Sequence, residues 1–358
     1  MQQLTAALIG LRHPHSAGHI RTLDCLPEVG RIVVWDEDAS ALDALRGEVQ
    51  DTPVEQAGSL AELLDRRDLA FVIAAERNDR NPDLFSGILE AGHHLLAEKP
   101  LGRTAADARR VVAAAEQAGR QLSVFYTNRF NPLVAEARRL VRAGALGTLF
   151  SVEIRMLTTQ VRFRGPGHWL FDRGAAGGGI LSWLGCHSLD LMQFLTGDPI
   201  GSVAAEVATR GDDGFDVEDT ATLSMRLRSG ALASLHAGYM LAVSGGGFYN
   251  AAGYDQHVGV NGREGRLWWN DRGPPELHLE SGVPEFAAAP RRTFTFTPAE
   301  SRAYGGGYGE RFVRDFIAAT RGEGPVPVPG AAAVRVGLVV DAAYESARTG
   351  RRVEVPAE

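Results

Sequence analysis

Lysine is almost missing from this chain. Of its 37 basic residues, 36 are arginine and only Lys99 is lysine. Lysine ordinarily ranks among the commonest residues, and an Ala/Gly/Arg-rich composition replaces it wherever arginine serves. A lone survivor points to a task for an amine that can lose its proton, which arginine does not do in proteins, or to chance survival at a tolerant position. Composition leaves both open. Cysteine is scarce too: Cys25 and Cys186 cannot staple 358 residues, which suits a reducing cytoplasm. No stretch approaches the length of an uncharged apolar span, and no basic segment followed by an apolar run opens the chain, so neither a membrane partner nor a secretory signal is expected. Positive charge is in the minority, 37 residues against 44 acidic ones, and the net charge of −7 argues against nucleic acid as a partner. Apolar material is plentiful: 44% of residues are hydrophobic and 42 more are glycine. At about 150 residues per domain, two domains with sizeable cores are expected.

Over residues 1–125 two periods alternate. Apolar runs at Ala6–Gly10, Arg31–Asp36, Leu69–Ala74, Leu95–Lys99 and Leu122–Thr127 read as buried parallel strands. Helical patterns separate them. Ser59 with Glu62 has capping-box spacing, and so does Thr104 with Asp107, whose helix puts Ala108, Val111, Val112 and Ala115 on one face and stops at Gly119. This alternation predicts an α/β Rossmann domain with a doubly wound parallel sheet. Residues 126–358 read differently. Helices at Leu133–Ala143, Leu181–Thr196, Tyr308–Arg321 and Ala331–Thr349 flank strands at Leu149–Leu157, Ser202–Thr209, Thr220–Tyr239 (turning at Ser229-Gly230), Val258–Val260, Gly265–Trp269 and Arg292–Phe296. That is an α+β domain with a large, mostly antiparallel open sheet. Gly245–Gly247 and Gly305–Gly307 read as loops.

The first strand runs into Gly10, where a dinucleotide turn of the form G-x-G-x-x-G lets backbone approach a pyrophosphate at a helix N-terminus. Here Arg12 and His15 take the second and third glycine positions, and Arg12 can itself meet phosphate; an ordinary strand–helix turn is the alternative. Asp36 ends the second strand, 21 residues past His15, where an acid accepts from the adenosine ribose hydroxyls. Glu37 rather than an arginine follows it, so NAD is preferred over NADP. His13, His15 and His19 are a candidate metal cluster, but no cysteine or carboxylate lies near them in sequence, and no metal is expected. Lys99 sits at the carboxyl edge of the sheet, where ligands lie in doubly wound folds, and Pro100 holds it extended. Gly10, Arg12, His15, Asp36, Ala74, Asn78 and Glu98 make up the expected cofactor contacts. Farther on, Gly177-Gly-Gly leads into a helix carrying Trp183, His187 and, more loosely, Asp190 on one face. Gly185 within it costs about 1 kcal/mol against alanine, which suggests that some group passes close.

With these residues in view the chain resembles the Gfo/Idh/MocA family of NAD(P)-dependent oxidoreductases over nearly its whole length. The resemblance rests on Glu98-Lys99-Pro100, Asn128-Arg129-Phe130-Asn131-Pro132, the glycine triplet with His187, Val217-Glu-Asp219-Thr220 and the closing Tyr344-Glu-Ser-Ala-Arg-Thr-Gly350. It implies a Rossmann domain, a second domain with a large open sheet, a homodimer or homotetramer built through that sheet, and oxidation or reduction of a carbon on a sugar, inositol or similar polyol. It maps the family's lysine onto Lys99, its helix histidine onto His187 and its Rossmann acid onto Asp36. The chain departs from the family in its glycine turn, in Trp183 where an Asp is common, and in Ala74–Pro82, which lacks the usual Thr-Pro and His. The expected chemistry is a hydride transfer between a secondary alcohol and nicotinamide, with Lys99 and His187 handling the proton. An NAD-dependent glycosidase and an inactive NAD- or sugar-binding regulator are the alternatives. The substrate is expected between the domains, lined by Arg129, Arg155, His168, Trp169, Trp183 and Asp190; for Arg155 a surface ion pair is at least as good a reading. Segment Ala231–Tyr239, uncharged on both faces, is the expected oligomer contact.

Overall fold

A computed structural model describes residues 3–158, 164–165, 167–211, 214–239, 254–271 and 274–357. The expected glycine loop Gly245–Gly247 lies outside them. The chain forms two compact units, Met1–Phe130 with Pro298–Val334, and Asn131–Thr297 with Arg335–Glu358. The expected boundary at 125/126 treated each unit as continuous chain. Pro298–Val334 returns to the first unit through contacts distant in sequence, such as the Ser123–Pro329 bridge, which no local pattern reports.

In the first unit, strands β1 (Leu4–Ile9), β2 (Val29–Trp35), β3 (Val54–Gln56), β4 (Leu69–Ala74), β5 (Leu95–Ala97) and β6 (Leu122–Val124) form a parallel sheet in the order β3-β2-β1-β4-β5-β6. Ile32, Val33 and Val34 are successive yet wholly buried, as strands covered on both faces require. Helices α1 (Ser16–Asp24), α2 (Leu60–Asp65), α3 (Asn81–Glu90) and α4 (Ala105–Ala118) alternate with the strands. The Thr104 capping box forms as expected: Asp107 N donates to Thr104 Oγ1 and Thr104 N to Asp107 Oδ2, both at 3.1 Å. Gly119, at φ +61°, ends the helix. Strand β3, three residues long, carries too little pattern to be read from sequence.

In the second unit, β7 (Leu149–Thr158), β8 (Ile200–Ala208), β9 (Thr220–Leu227), β10 (Leu232–Gly238), β11 (Tyr254–Gly262), β12 (Gly265–Asn270), β13 (Glu276–Ser281), β14 (Arg291–Thr295) and β15 (Val353–Glu354) make a nine-stranded sheet ordered β14-β13-β12-β11-β7-β10-β9-β8-β15. Only β7 and β10 run parallel. The Ser229-Gly230 turn joins β9 to β10, with Gly230 at φ +98°. One face alternates buried residues such as Val152, Ile154 and Met156 and packs on helices α5 (Pro132–Arg142) and α6 (Cys186–Thr196); the other face is open. Ala233, Leu235 and Ala237 of β10 belong to the buried set, while Leu232, Ser234 and His236 are exposed. Helix α7 (Gly307–Thr320) belongs to the first unit, and α8 (Gly330–Thr349) contains the boundary between Val334 and Arg335. Among the described residues no helix is long and apolar enough to cross a membrane.

Candidate active site

β1 runs into Gly10, whose φ is +85° and whose Cβ, were there one, would lie 1.7 Å from the Ala75 carbonyl oxygen. Only glycine fits. This is the point between β1 and β4 where the strand order reverses, the ligand crevice of doubly wound sheets. Ser16 Oγ donates to the Gly10 carbonyl at 2.5 Å and so ties the turn to the start of α1, whose first N–H groups suit a phosphate. Gly18 lies inside α1 rather than in the turn; a Cβ there would meet the Tyr304 ring at 2.9 Å. Ala74 closes β4, and Asn78 is wholly buried in the loop beyond it. Asn81 pins that loop, accepting from Glu76 N at 3.1 Å and donating to the Pro100 carbonyl at 3.0 Å.

One residue past β2, Asp36 has both oxygens engaged. Oδ2 accepts from Leu11 N (2.7 Å) and Arg12 N (3.2 Å), and Oδ1 from Asp38 N (2.9 Å) and Arg12 Nε (3.0 Å). The Arg12 side chain therefore lies on the acid rather than along the turn.

Glu98 and Lys99, just past β5, are both wholly buried. Glu98 Oε1 accepts from His19 Nε2 at 2.7 Å and from His15 Nδ1 at 2.9 Å, while Oε2 accepts from Lys99 N at 3.0 Å. The Lys99–Pro100 peptide is cis. The Tyr304 ring covers His15, with centroids 4.9 Å apart, and its hydroxyl lies 3.3 Å from His15 Nδ1. His13 stands beside the group and accepts from His15 N at 3.2 Å. Burial drives the His13 imidazole well below the histidine range, with His15 adding to the shift. Burial also lowers His15, against the pull of Glu98. Burial pushes the Glu98 carboxyl up, but His15 and His19 overcome it and hold Glu98 well below the carboxylate range. The result is an anionic carboxylate between two imidazoles, next to the lysine.

The sequence argument against a metal at these histidines, that no carboxylate is near, does not survive. Glu98 arrives from another strand and puts one oxygen within 4.8 Å of a nitrogen from each of His15 and His19. The spacings nevertheless describe N–H···O bonds to a single oxygen. His19 Nδ1 also lacks the outer partner that orients a metal-bound imidazole. The group is a hydrogen-bonded triad.

In the second unit, the stretch expected as one helix from Leu181 begins instead as a π-helical turn, Leu181–Gly185, and becomes α-helical at Cys186. Such wide turns recur at functional sites. Trp183 lies in the turn, buried, edge-on to Trp169 with centroids 6.0 Å apart, and Trp169 in turn meets His168 at 5.6 Å. Burial, reinforced by Arg164, lowers the His168 imidazole to about 4. His187 opens α6 half-buried, and Asp190 is buried one turn later. No foreign group approaches Gly185; the nearest atom to a Cβ there belongs to Leu181 of its own turn, at 3.0 Å. Close passage occurs at the triplet instead. A Cβ on Gly178 would lie 1.9 Å from the Tyr344 hydroxyl, and one on Gly179 would lie 1.9 Å from the Glu218 carbonyl oxygen. Buried Glu218 caps the segment, with Oε1 accepting from Leu181 N (3.1 Å) and from the Tyr344 hydroxyl (2.7 Å).

The structure thus groups His15 with Glu98 beside Lys99, and groups His168 with Trp169 and Trp183. It does not bring Arg155 to α6. Strand alternation turns Arg155 onto the open face of the sheet, where it pairs with Asp255 at 3.2 Å. Arg129 lies in the short helix Thr127–Phe130 after β6, in the first unit. Tyr304, Asn81 and Glu218 were not foreseen. Glu218 sits in a motif that the sequence flagged without a role, and the other two carried no signal.

Residues 5–126 match the model of the oxidoreductase family with an NAD-binding Rossmann fold, and residues 134–268 match the GFO/IDH/MocA C-terminal domain. The chain belongs to the Gfo/Idh/MocA family, and its first unit is that family's NAD-binding domain. It is 28% identical to the D-apiose dehydrogenase of Paraburkholderia graminis, covering 99% of this chain and 90% of that protein. It is 26% identical to the levoglucosan dehydrogenase of Pseudarthrobacter phenanthrenivorans, covering 82% of each. Among solved structures it resembles GenD2 from gentamicin A biosynthesis, in complex with NAD, at 25% identity and a TM-score of 0.79, covering 100% of this chain and 97% of that one.

Proposed function

We propose that the protein is an NAD-dependent dehydrogenase of a sugar- or inositol-like polyol, with Lys99 and His187 handling the proton. The observation that carries this is the sole lysine, wholly buried past β5 at the carboxyl edge of the sheet, beside an anionic Glu98. The glycine-only approach at Gly10, the start of α1 and the acid after β2 fit a dinucleotide. NAD, when bound, supplies the hydride acceptor. The secondary alcohol loses its carbon-bound hydrogen as hydride and its hydroxyl proton to an amine, leaving a ketone. Lys99 takes that proton at the reacting oxygen, and Glu98 fixes the lysine backbone through its N–H. His187 is the second acid/base. His168 and Trp169, both half-buried, supply an aromatic surface of the kind that stacks on sugar faces, with the buried Trp183 edge-on to Trp169. Relatives named as D-apiose and levoglucosan dehydrogenases support a sugar substrate. The test is absorbance of NADH formed from NAD across sugars, inositols and sugar acids; stoichiometric NADH supports the reading, and glycoside cleavage without net NADH overturns it. The open sheet face, where Leu232 is 56% exposed beside Ser151 and Arg226 of the neighbouring strands, is proposed to meet a second copy. Light scattering that finds only monomer at micromolar concentration refutes this.

A further inference from the structure

The three consecutive acids Asp36, Glu37 and Asp38 read in sequence as a barrier to a 2′-phosphate. In the structure two of the three charges are matched by arginines. Arg12 Nε binds Asp36 Oδ1 at 3.0 Å, and the Asp36 side chain is left only 1% exposed. Arg80 Nη1 pairs with Glu37 Oε2 at 2.8 Å. Asp38 is turned to local use, accepting from Ser40 N (3.0 Å) and Ser40 Oγ (2.7 Å). Three acids against two arginines leave one net negative charge. Arg12 keeps a supply of donors as well: its backbone N and Nε are committed to Asp36, its side chain is 53% exposed, and its two terminal amino groups make no hydrogen bond to the described residues, although, after the Ser40 hydrogen bonds, its charge also helps lower the Asp38 carboxyl. A guanidinium with free amino groups, held at the acid that accepts adenosine ribose hydroxyls, is the arrangement that binds a phosphate monoester in charge-assisted bonds.

We propose that Arg12 sets the cofactor choice, and that through it the adenosine-ribose subsite admits NADP alongside NAD. This rests on reading the carboxyl edge of the sheet as a nicotinamide dinucleotide site. For NADP, Arg12 stays in place and its terminal amino groups meet the 2′-phosphate. For NAD, the ribose hydroxyls compete with Arg12 for Asp36. The arginine therefore favours one cofactor and obstructs the other.

The test is calorimetric titration of the full chain with NAD and with NADP, for wild type, Arg12→Ala and Arg80→Ala. Wild-type dissociation constants within about thirty-fold of one another are expected, with Arg12→Ala moving the ratio at least about ten-fold towards NAD, the size of one charge-assisted phosphate bond. Arg80→Ala moves the ratio the same way by less, because it frees the Glu37 charge. A wild-type preference for NAD beyond about thirty-fold, or a ratio unmoved in Arg12→Ala, overturns the inference. If NAD binds and NADP is refused, this inference alone falls. If neither binds, the dinucleotide site falls with it.

Discussion

Glu98→Ala tests whether the triad is held together by its carboxylate. The substitution removes the acceptor of three N–H groups: His19 Nε2 at 2.7 Å, His15 Nδ1 at 2.9 Å and Lys99 N at 3.0 Å. His19 and Lys99 are wholly buried, so water reaches them only if the unit opens; the His15 side chain, 14% exposed, regains a water partner. Each buried donor left alone costs about 1–3 kcal/mol, so the two together cost about 2–6 kcal/mol. The lost carboxylate also leaves a void, which adds to that cost. Against this stands relief from burying the carboxylate charge, which offsets part of that cost and leaves a net loss of about 2–4 kcal/mol. That is the destabilisation expected. Glu98→Gln keeps one acceptor oxygen and loses one bond, for about 1–3 kcal/mol. Urea unfolding followed by circular dichroism reads both variants. A loss below about 1 kcal/mol in Glu98→Ala at unchanged m-value refutes the reasoning.

Stability should fall on acidification. The folded imidazoles of His13 and His15 resist protons that the unfolded chain takes up below about 6.5, so up to roughly 2.7 kcal/mol per pH unit is lost from there down to their folded values, and the Glu98 contribution goes lower still, as pH falls through its depressed value. A melting temperature that stays flat from neutral pH down to about 5 contradicts this. Lys99→Arg should fold and bind NAD yet lose at least about 100-fold in turnover, since arginine cannot accept the proton; near-wild-type rates on a true substrate would remove Lys99 from the mechanism. Gly179→Ala should cost about 1–3 kcal/mol or more, because its Cβ would strike backbone, the Glu218 carbonyl oxygen at 1.9 Å. Thermal unfolding measures it, and an unchanged midpoint counts against the packing described here.

Periodicity revealed most of the architecture because the core is built from it. Ile32–Val34 are apolar in succession and lie in a sheet covered on both faces, and Thr104 with Asp107 makes the capping box that their spacing announced. Lys99 was legible from scarcity alone. What stayed hidden depends on pairs far apart in the chain. The acids after β2 could be counted, but Arg80, which pairs with Glu37 from 43 residues away, could not be matched to them. The carboxylate that joins His15 and His19 comes from a different strand, 79 residues beyond His19. Arg155 was placed with the substrate because residue type was visible and strand face was not. The π-helical turn at Leu181 differs from an α-helix by one residue in its hydrogen-bond step, too fine a distinction for apolar spacing to register.

The segment bearing Tyr304 has a consequence for how the protein is made. Tyr304 packs on Gly18 and His15, its N–H donates to Thr22 Oγ1 at 2.8 Å, and Arg302 pairs with Asp24 at 2.6 Å. All of these belong to the unit that the first 130 residues begin. A ribosome that has finished Phe130 must add 334 − 130 = 204 residues before the last piece of that unit exists, which at about 5–20 residues per second takes roughly 10–40 s. All of the second unit's sheet except the edge strand β15 is synthesised within that interval. The N-terminal unit therefore waits unsealed on the ribosome, with the α1 face around Gly18 bare, and the order of synthesis is not the order of completion.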